Sequence, residues 1–277
     1  MHNQGRIDSQ DTVIHRVDRL TEALELDRHR IISVVGAGGK TSLMFAMARE
    51  LATLGNHVIT STTTKIFEPS RKETPFLFVR EGAADILNAI PNVIHRYGHL
   101  TLAESRLPDK KLRGVSPKLI NGLEALDGVD NILVEADGAA RLPLKAPDEN
   151  EPVIPSKTSL VVVVVGIDSL GVELSADHVF RPRIASELTG VPLGGTVTAE
   201  AIAELIVHPG GMAKGTPYHS TIIPFLNKAD IPGALEKGRE LAQRILAKGH
   251  PKIKRVVLGN ALSDRPVVEV LTRKIDS

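Results

Sequence analysis

Ile31 to Ser42, IISVVGAGGKTS, reads as an apolar strand running into a glycine-rich turn that ends in a lysine and two hydroxyl residues. Ile31, Ile32, Val34 and Val35 suit a strand buried in a parallel sheet. Gly36, Gly38 and Gly39, with Ala37 between them, permit a sharp turn whose N–H groups point inward. Lys40 is then placed to reach terminal phosphates and Thr41 to hold Mg²⁺, with Ser42 next in the same turn. Beyond it Leu43, Met47, Leu51 and Leu54 fall on one helical face, and Gly55 stands where that helix should stop. Strand, loop and helix N-terminus arrive in the order that makes an anion site. The pattern G-x-x-x-x-G-K-[ST] is not met in full, because Val34 stands where its first glycine belongs. The shorter G-x-x-G-K-T over Gly36 to Thr41 does fit.

Composition narrows the rest. A chain of 277 residues can bury one large core, and no low-complexity linker divides it. A net charge of +1 gives no general attraction to nucleic acid or to acidic membrane, and 3% aromatics without tryptophan argue against a stacking platform for single strands. Cysteine is absent, which removes thiolate metal sites, catalytic thiols and persulfide carriers together. The N-terminus has no apolar leader, and Leu160 to Val165, the longest apolar run, is too short to span a bilayer. The expectation is a cytoplasmic protein with no membrane and no nucleic-acid partner.

Along the chain, residues 1 to about 12 are polar, and Val13, Val17, Leu20 and Leu24 recur at the spacing of a short helix. Residues 1–27 are therefore expected to form an arm with a short helix ahead of a single domain, 28–277. Strands are expected near residues 31, 57, 131, 160, 221 and 254. Between them, helices are expected near 83–90 and from Ser116-Pro117, near 178–188, after an N-cap at Thr198, and after Asp230. Residues 92–104, NVIHRYGHLTLAE, suggest a hairpin around Gly98. The continuous run Leu160–Gly166 lacks alternation, as a strand covered on both faces should. The fold class that follows is α/β, a P-loop NTPase-like three-layer sandwich with a mostly parallel central sheet.

Four further stretches carry chemistry. In NILVEADG, Asn131 to Gly138, a strand delivers Glu135 and Asp137 to its C-terminal end, where open α/β sheets bind ligands. Either acid could join the Mg²⁺ shell or orient water. The hydroxyls at the end of the second strand, Thr63 among them, are a further candidate for the metal, although threonine also suits strands for steric reasons. The loop AARLPLKAP follows the acids, and its Arg141 and Lys145 could hold a phosphate or an anionic substrate. Thr221 to Asp230 ends in Asn227-Lys228-Ala229-Asp230, the order in which GTPases recognise guanine. There Asp230 would accept from the base, Lys228 would lie against it and Asn227 would brace the loop.

Taken together, VGAGGKTS, STTTKI, VEADGAARLPLKAP, EPVIP and FLNKAD resemble the YqeC family, proposed accessory proteins for selenium-dependent molybdenum hydroxylases. The resemblance runs from about Ile31 to Asp230. It implies a P-loop NTPase that uses Mg²⁺ with GTP or ATP and serves the insertion or maturation of a selenium-containing molybdenum cofactor. A molybdenum hydroxylase or a protein handling its cofactor would then be the partner. Carried over by position, Lys40 and Thr41 would bind phosphate and Mg²⁺, Glu135 and Asp137 would act near the metal, and Arg141 and Lys145 would form the family's loop. The expected activity is nucleoside triphosphate hydrolysis, with Lys40, Glu135, Asp137 and Arg141 as its catalytic residues. Two other readings fit the same residues: an ATP-dependent amide ligase of the Mur type, and a non-catalytic module gated by nucleotide.

Overall fold

The computed structural model describes residues 12–274. Ten strands build its main sheet: β1 Thr12–His15, β2 Ile31–Gly36, β3 Val58–Thr62, β4 Leu77–Val79, β5 His99–Ala103, β6 Asn131–Glu135, β7 Leu160–Gly166, β8 Thr221–Asn227, β9 Arg255–Gly259 and β10 Val267–Arg273. They lie in the order β1-β10-β9-β8-β7-β2-β6-β3-β5-β4. Pairing is parallel from β9 to β4, while β10 runs antiparallel to both β9 and β1.

Helices cover both faces, as a parallel sheet with crossover connections requires. Strand β7 shows why. Leu160, Val162 and Val164 pack with α2, Lys40–Thr53, and with the short α1, Leu20–Ala23. Val161, Val163 and Val165 face the other layer, with residues of α5 (Pro182–Thr189), α6 (Ala199–Val207) and α7 (Ala234–Ala247). Helices α3 (Ala83–Tyr97) and α4 (Pro117–Leu123) form a third cluster with Ile31, Ile59 and Ile132. The whole is the expected α/β sandwich with a large, mostly parallel sheet. Among the described residues no helix is long and apolar enough to cross a membrane.

Three local expectations are corrected. Val13 lies in β1 on the sheet's edge and not in a helix. The last strand offers a free edge there, and pairing from Thr12↔Arg273 to His15↔Val270 satisfies it. Residues 92–97 continue α3 instead of starting a hairpin, because Ile86, Ile90 and Ile94 share one buried face at a spacing of four. Asp230 does not cap α7: Gly233 occupies that position, with Ile231 and Pro232 between the two. The part of the expected arm before residue 12 lies outside the described residues.

Candidate functional site

Strand β2 is flanked by β7 on one side and β6 on the other, and all three deliver their C-terminal loops to one edge of the sheet. The loop after β2 turns through Gly36, Gly38 and Gly39, at φ +93°, +83° and +126°. A side chain at Gly36 would strike the carbonyl of Val164, and one at Gly39 would strike the amide of Asn227. The loop is thus clamped between neighbouring strands at positions open only to glycine. Helix α2 begins at Lys40, so the first-turn N–H groups of a 14-residue helix point out of this loop with the positive end of its dipole.

Lys40 is 4% exposed and lies between two acids. Its ammonium donates to the carbonyl of Gly36 at 2.8 Å and stands 3.2 Å from Asp137 Oδ1 and 3.8 Å from Glu135 Oε1. Burial works to lower the Lys40 pKa, but Asp137 and Glu135 outweigh it, and the net shift is upward. Lys40 is therefore a fixed cation. Glu135 is also shifted upward, but here burial is the cause, and it outweighs the pull of Lys40 and the Thr41 hydrogen bond.

The two acids have separate environments. Thr41 Oγ1 donates to Glu135 Oε2 at 2.7 Å, and both residues line a cleft of about 510 Å³. Asp137 sits behind them, fully buried, where Oδ2 accepts from the Gly36 N–H at 3.0 Å and pairs with Lys145 at 2.9 Å. Its Oδ1 is close to Lys40 but outside hydrogen-bond geometry, and is the one buried side-chain polar atom left without a hydrogen bond among the described residues.

The other candidate residues divide. Arg141 lines the cleft, held at φ +64° with its guanidinium 4.3 Å from the centre of the Phe67 ring. Lys145 does not reach the cleft: it is wholly buried, donating to the Gly138 carbonyl at 2.6 Å and to Glu151 at 2.7 Å. Arg181 adds a second cation on Glu151 at 2.6 Å. Although burial opposes it, these hydrogen bonds hold the Glu151 carboxyl below its ordinary pKa. Thr63 donates to the carbonyl of Val153 at 2.8 Å and does not line the cleft.

At the far end, Asn227 Nδ2 donates to the Gly38 carbonyl at 2.7 Å, and its Oδ1 accepts from the N–H of Ala261 at 2.9 Å. The bracing expected of Asn227 is present, and it adds the loop after β9. Lys228 lines the cleft and pairs with Asp168 at 2.6 Å, while Asp230 is exposed and outside the lining. Sequence reasoning did not find Glu151, Arg181, Asp168 or the Asn260–Leu262 loop. Their partners lie 6 to 60 residues away, and no local pattern marks them.

The model of the YqeC protein family matches residues 32–183, more than half of the chain, running from within β2 to the start of α5. This chain belongs to the YqeC family. It is also 35% identical over 205 residues to the uncharacterized protein YqeC of Escherichia coli (strain K12), which covers 73% of this chain and 77% of that protein. The YqeC match therefore contains the glycine loop, Glu135, Asp137, Arg141, Lys145 and Glu151, whereas Asn227 and Asp230 lie beyond the residues matched by the family model.

A larger hollow of about 680 Å³ lies among other residues, near β1, α1 and Arg255. It contains no glycine loop, and its Arg28 and Arg255 are both paired with Glu25. Gly38, Gly39, Lys40, Thr41 and Glu135 of this YqeC-family chain all line the smaller cleft.

Proposed function

We propose that this chain is a Mg²⁺-dependent nucleoside triphosphatase that prefers GTP, and that it serves the maturation of a selenium-dependent molybdenum hydroxylase or of its cofactor. The pathway rests on family membership. The chemistry rests on one observation: the Thr41 hydroxyl and the Glu135 carboxylate meet at 2.7 Å on the cleft wall, beside a buried lysine and a helix N-terminus.

The donor set suits Mg²⁺, which takes oxygen ligands, keeps several waters and binds through one or two protein groups plus phosphate. Thr41 and Glu135 would hold it, and when bound it neutralises charge on the terminal phosphates. Among the described residues no cluster of three or more histidines and acids offers a metal cage of protein groups alone. Asp137 serves from behind, fixing the Gly36 N–H and the Lys40 ammonium so that the loop is organised before the nucleotide arrives. Lys40 supplies the permanent positive charge for the phosphates, and the α2 N–H groups complete their seat. Arg141, anchored on Phe67, presents a guanidinium from the opposite wall.

The guanine preference is supported by the Asn227 amide, which ties the phosphate loop to the loop that carries Lys228 and to Asn260–Leu262. A base lying beyond the phosphates would meet Lys228 and the exposed Leu262. Calorimetric titration with GTP, GDP, ATP and ADP in Mg²⁺, for the wild type and for Asp230→Ala, tests the base. Guanine preference that disappears in the variant is expected; adenine preference in the wild type overturns that half of the reading. Phosphate release by a folded Lys40→Met variant tests the other half, and full turnover there would sink it.

A further inference from the structure

The wall facing the phosphate loop is built by a separate three-stranded sheet of Lys65–Phe67, Lys111–Arg113 and Ser105–Leu107. Its first two strands pair antiparallel, Lys65 opposite Arg113, Ile66 opposite Leu112 and Phe67 opposite Lys111. Ile66 and Leu112 are buried, so alternation puts Lys65, Phe67, Lys111 and Arg113 together on the other face. Lys65, Phe67 and Lys111 line the cleft, and Arg141 reaches the same ring from the loop after β6.

Three features of this wall are unfavourable without a ligand. Lys65 stands directly across from Arg113, and like charges at such positions repel. Moreover, among the described residues none of Lys65, Lys111, Arg113 and Arg141 has a carboxylate within ion-pair distance, although Arg106 on the third strand is paired with Glu68 at 3.2 Å. Arg141 and its neighbour Ala140 also hold left-handed backbone conformations, at φ +64° and +46°, which non-glycine residues adopt at a cost and which cluster at ligand sites. The Arg141 guanidinium lies over the Phe67 ring, 4.3 Å from its centre, and a guanidinium held on an aromatic face keeps its N–H donors available to an oxyanion.

We propose that this outer half of the cleft is a second anion site, which seats the phosphate or carboxylate group of a small co-substrate opposite the phosphate loop. Lys40 and the α2 N-terminus already serve the nucleotide's phosphates from the inner wall. The four cations of the outer wall come from three other chain segments and complement a different anion. The proposal deepens the nucleotide reading by naming what shares the cleft, and it depends on that reading only for the identity of the neighbour.

The test is calorimetry on the full chain with Mg²⁺ and a β,γ-imido nucleotide, titrated with phenyl phosphate in one arm and benzoate in the other. Lys65→Gln/Lys111→Gln is the variant, since among the described residues neither ammonium has a carboxylate or hydrogen-bond partner, Lys111 resting only over the Phe67 ring at 5.2 Å, and their loss leaves the core intact. Binding of one of the two anions to the wild type is expected, with affinity at least tenfold weaker in the variant and nucleotide affinity within twofold. The arm that binds identifies the group, and Lys65→Arg/Lys111→Arg should restore it. Failure of both anions to bind the wild type, or equal binding in the variant, overturns the proposal. So does a parallel fall in nucleotide affinity, which would assign the wall to the nucleotide itself. A wild type that binds no nucleotide but still loses its anion in the variant would overturn the nucleotide reading and leave this site standing.

Discussion

The ammonium of Lys145 lies 2.9 Å from Asp137 Oδ2, with both side chains sealed from solvent. Lys145 also bonds Glu151, so one buried cation holds the acid behind the glycine loop to the acid that carries Arg181. Removing one partner of a buried ion pair leaves an uncompensated charge, at a cost of about 3–5 kcal/mol. Lys145→Met is therefore expected to lower unfolding free energy by that order in urea denaturation. Arg141→Ala, exposed to the cleft and without an ion pair among the described residues, should stay within about 1 kcal/mol of wild type. Equal, small losses in both would place Lys145 outside the structural frame.

Asn227 and Asp230 should separate in the same way. The Asn227 side chain bridges Gly38 and Ala261 with two hydrogen bonds, each contributing about 0.5–1.5 kcal/mol. Asn227→Ala should thus destabilise the fold by roughly 1–3 kcal/mol and weaken every nucleotide alike, because the loop it braces is the one proposed to seat the phosphates. Asp230→Ala, at an exposed position, should leave the thermal midpoint unchanged and alter only the choice between bases. Thermal unfolding beside nucleotide titration reads both; a base-selective effect of Asn227→Ala would reverse the assignment.

The parts of the site that could be read in advance are those written locally. The strand, three glycines and Lys40-Thr41 lie within twelve residues, and Glu135 and Asp137 end a strand whose apolar run is visible by eye. What was not legible depends on pairing across the chain. The sequence pattern of Arg141 and Lys145, four residues apart in one loop, gives no sign that one faces the cleft while the other is sealed beneath it. That difference arises because Leu144–Lys145 forms a two-residue parallel ladder with Val179–Phe180, which turns Lys145 inward toward Glu151. The strand Thr12–His15 was likewise hidden, since its partner begins more than 250 residues away.

Glu135 and Asp137 are expected to fail differently when neutralised. Glu135→Gln keeps a hydrogen-bonding group beside Thr41 but removes the charge that suits Mg²⁺. Turnover should fall on the order of 10²-fold or more, as for loss of one preorganised electrostatic group, and nucleotide affinity should lose its Mg²⁺ dependence. Asp137→Asn removes the anion between two buried cations, Lys40 and Lys145, so the fold itself should weaken. Phosphate release and denaturation, measured on both variants, check this; a Glu135→Gln protein that still needs Mg²⁺ would transfer the metal role elsewhere.

His99 gives the fold a pH dependence separable from the cleft. It is buried beside Phe45 and shares a 3.2 Å contact with the Thr60 hydroxyl, and burial lowers its pKa from 6.5 to about 4. The unfolded chain takes up this proton as pH falls through 6.5, whereas the folded protein resists until about 4. The contribution is therefore intact above pH 6.5, declines between there and about 4, and changes no further below. At about 1.36 kcal/mol per pH unit the full decline is roughly 3 kcal/mol. His99→Gln should lower stability at neutral pH, because it disturbs a packed site, yet its curve should be flatter across that window. Urea midpoints at half-unit pH steps measure the difference, and parallel curves for the two proteins would show that His99 titrates no differently folded than unfolded.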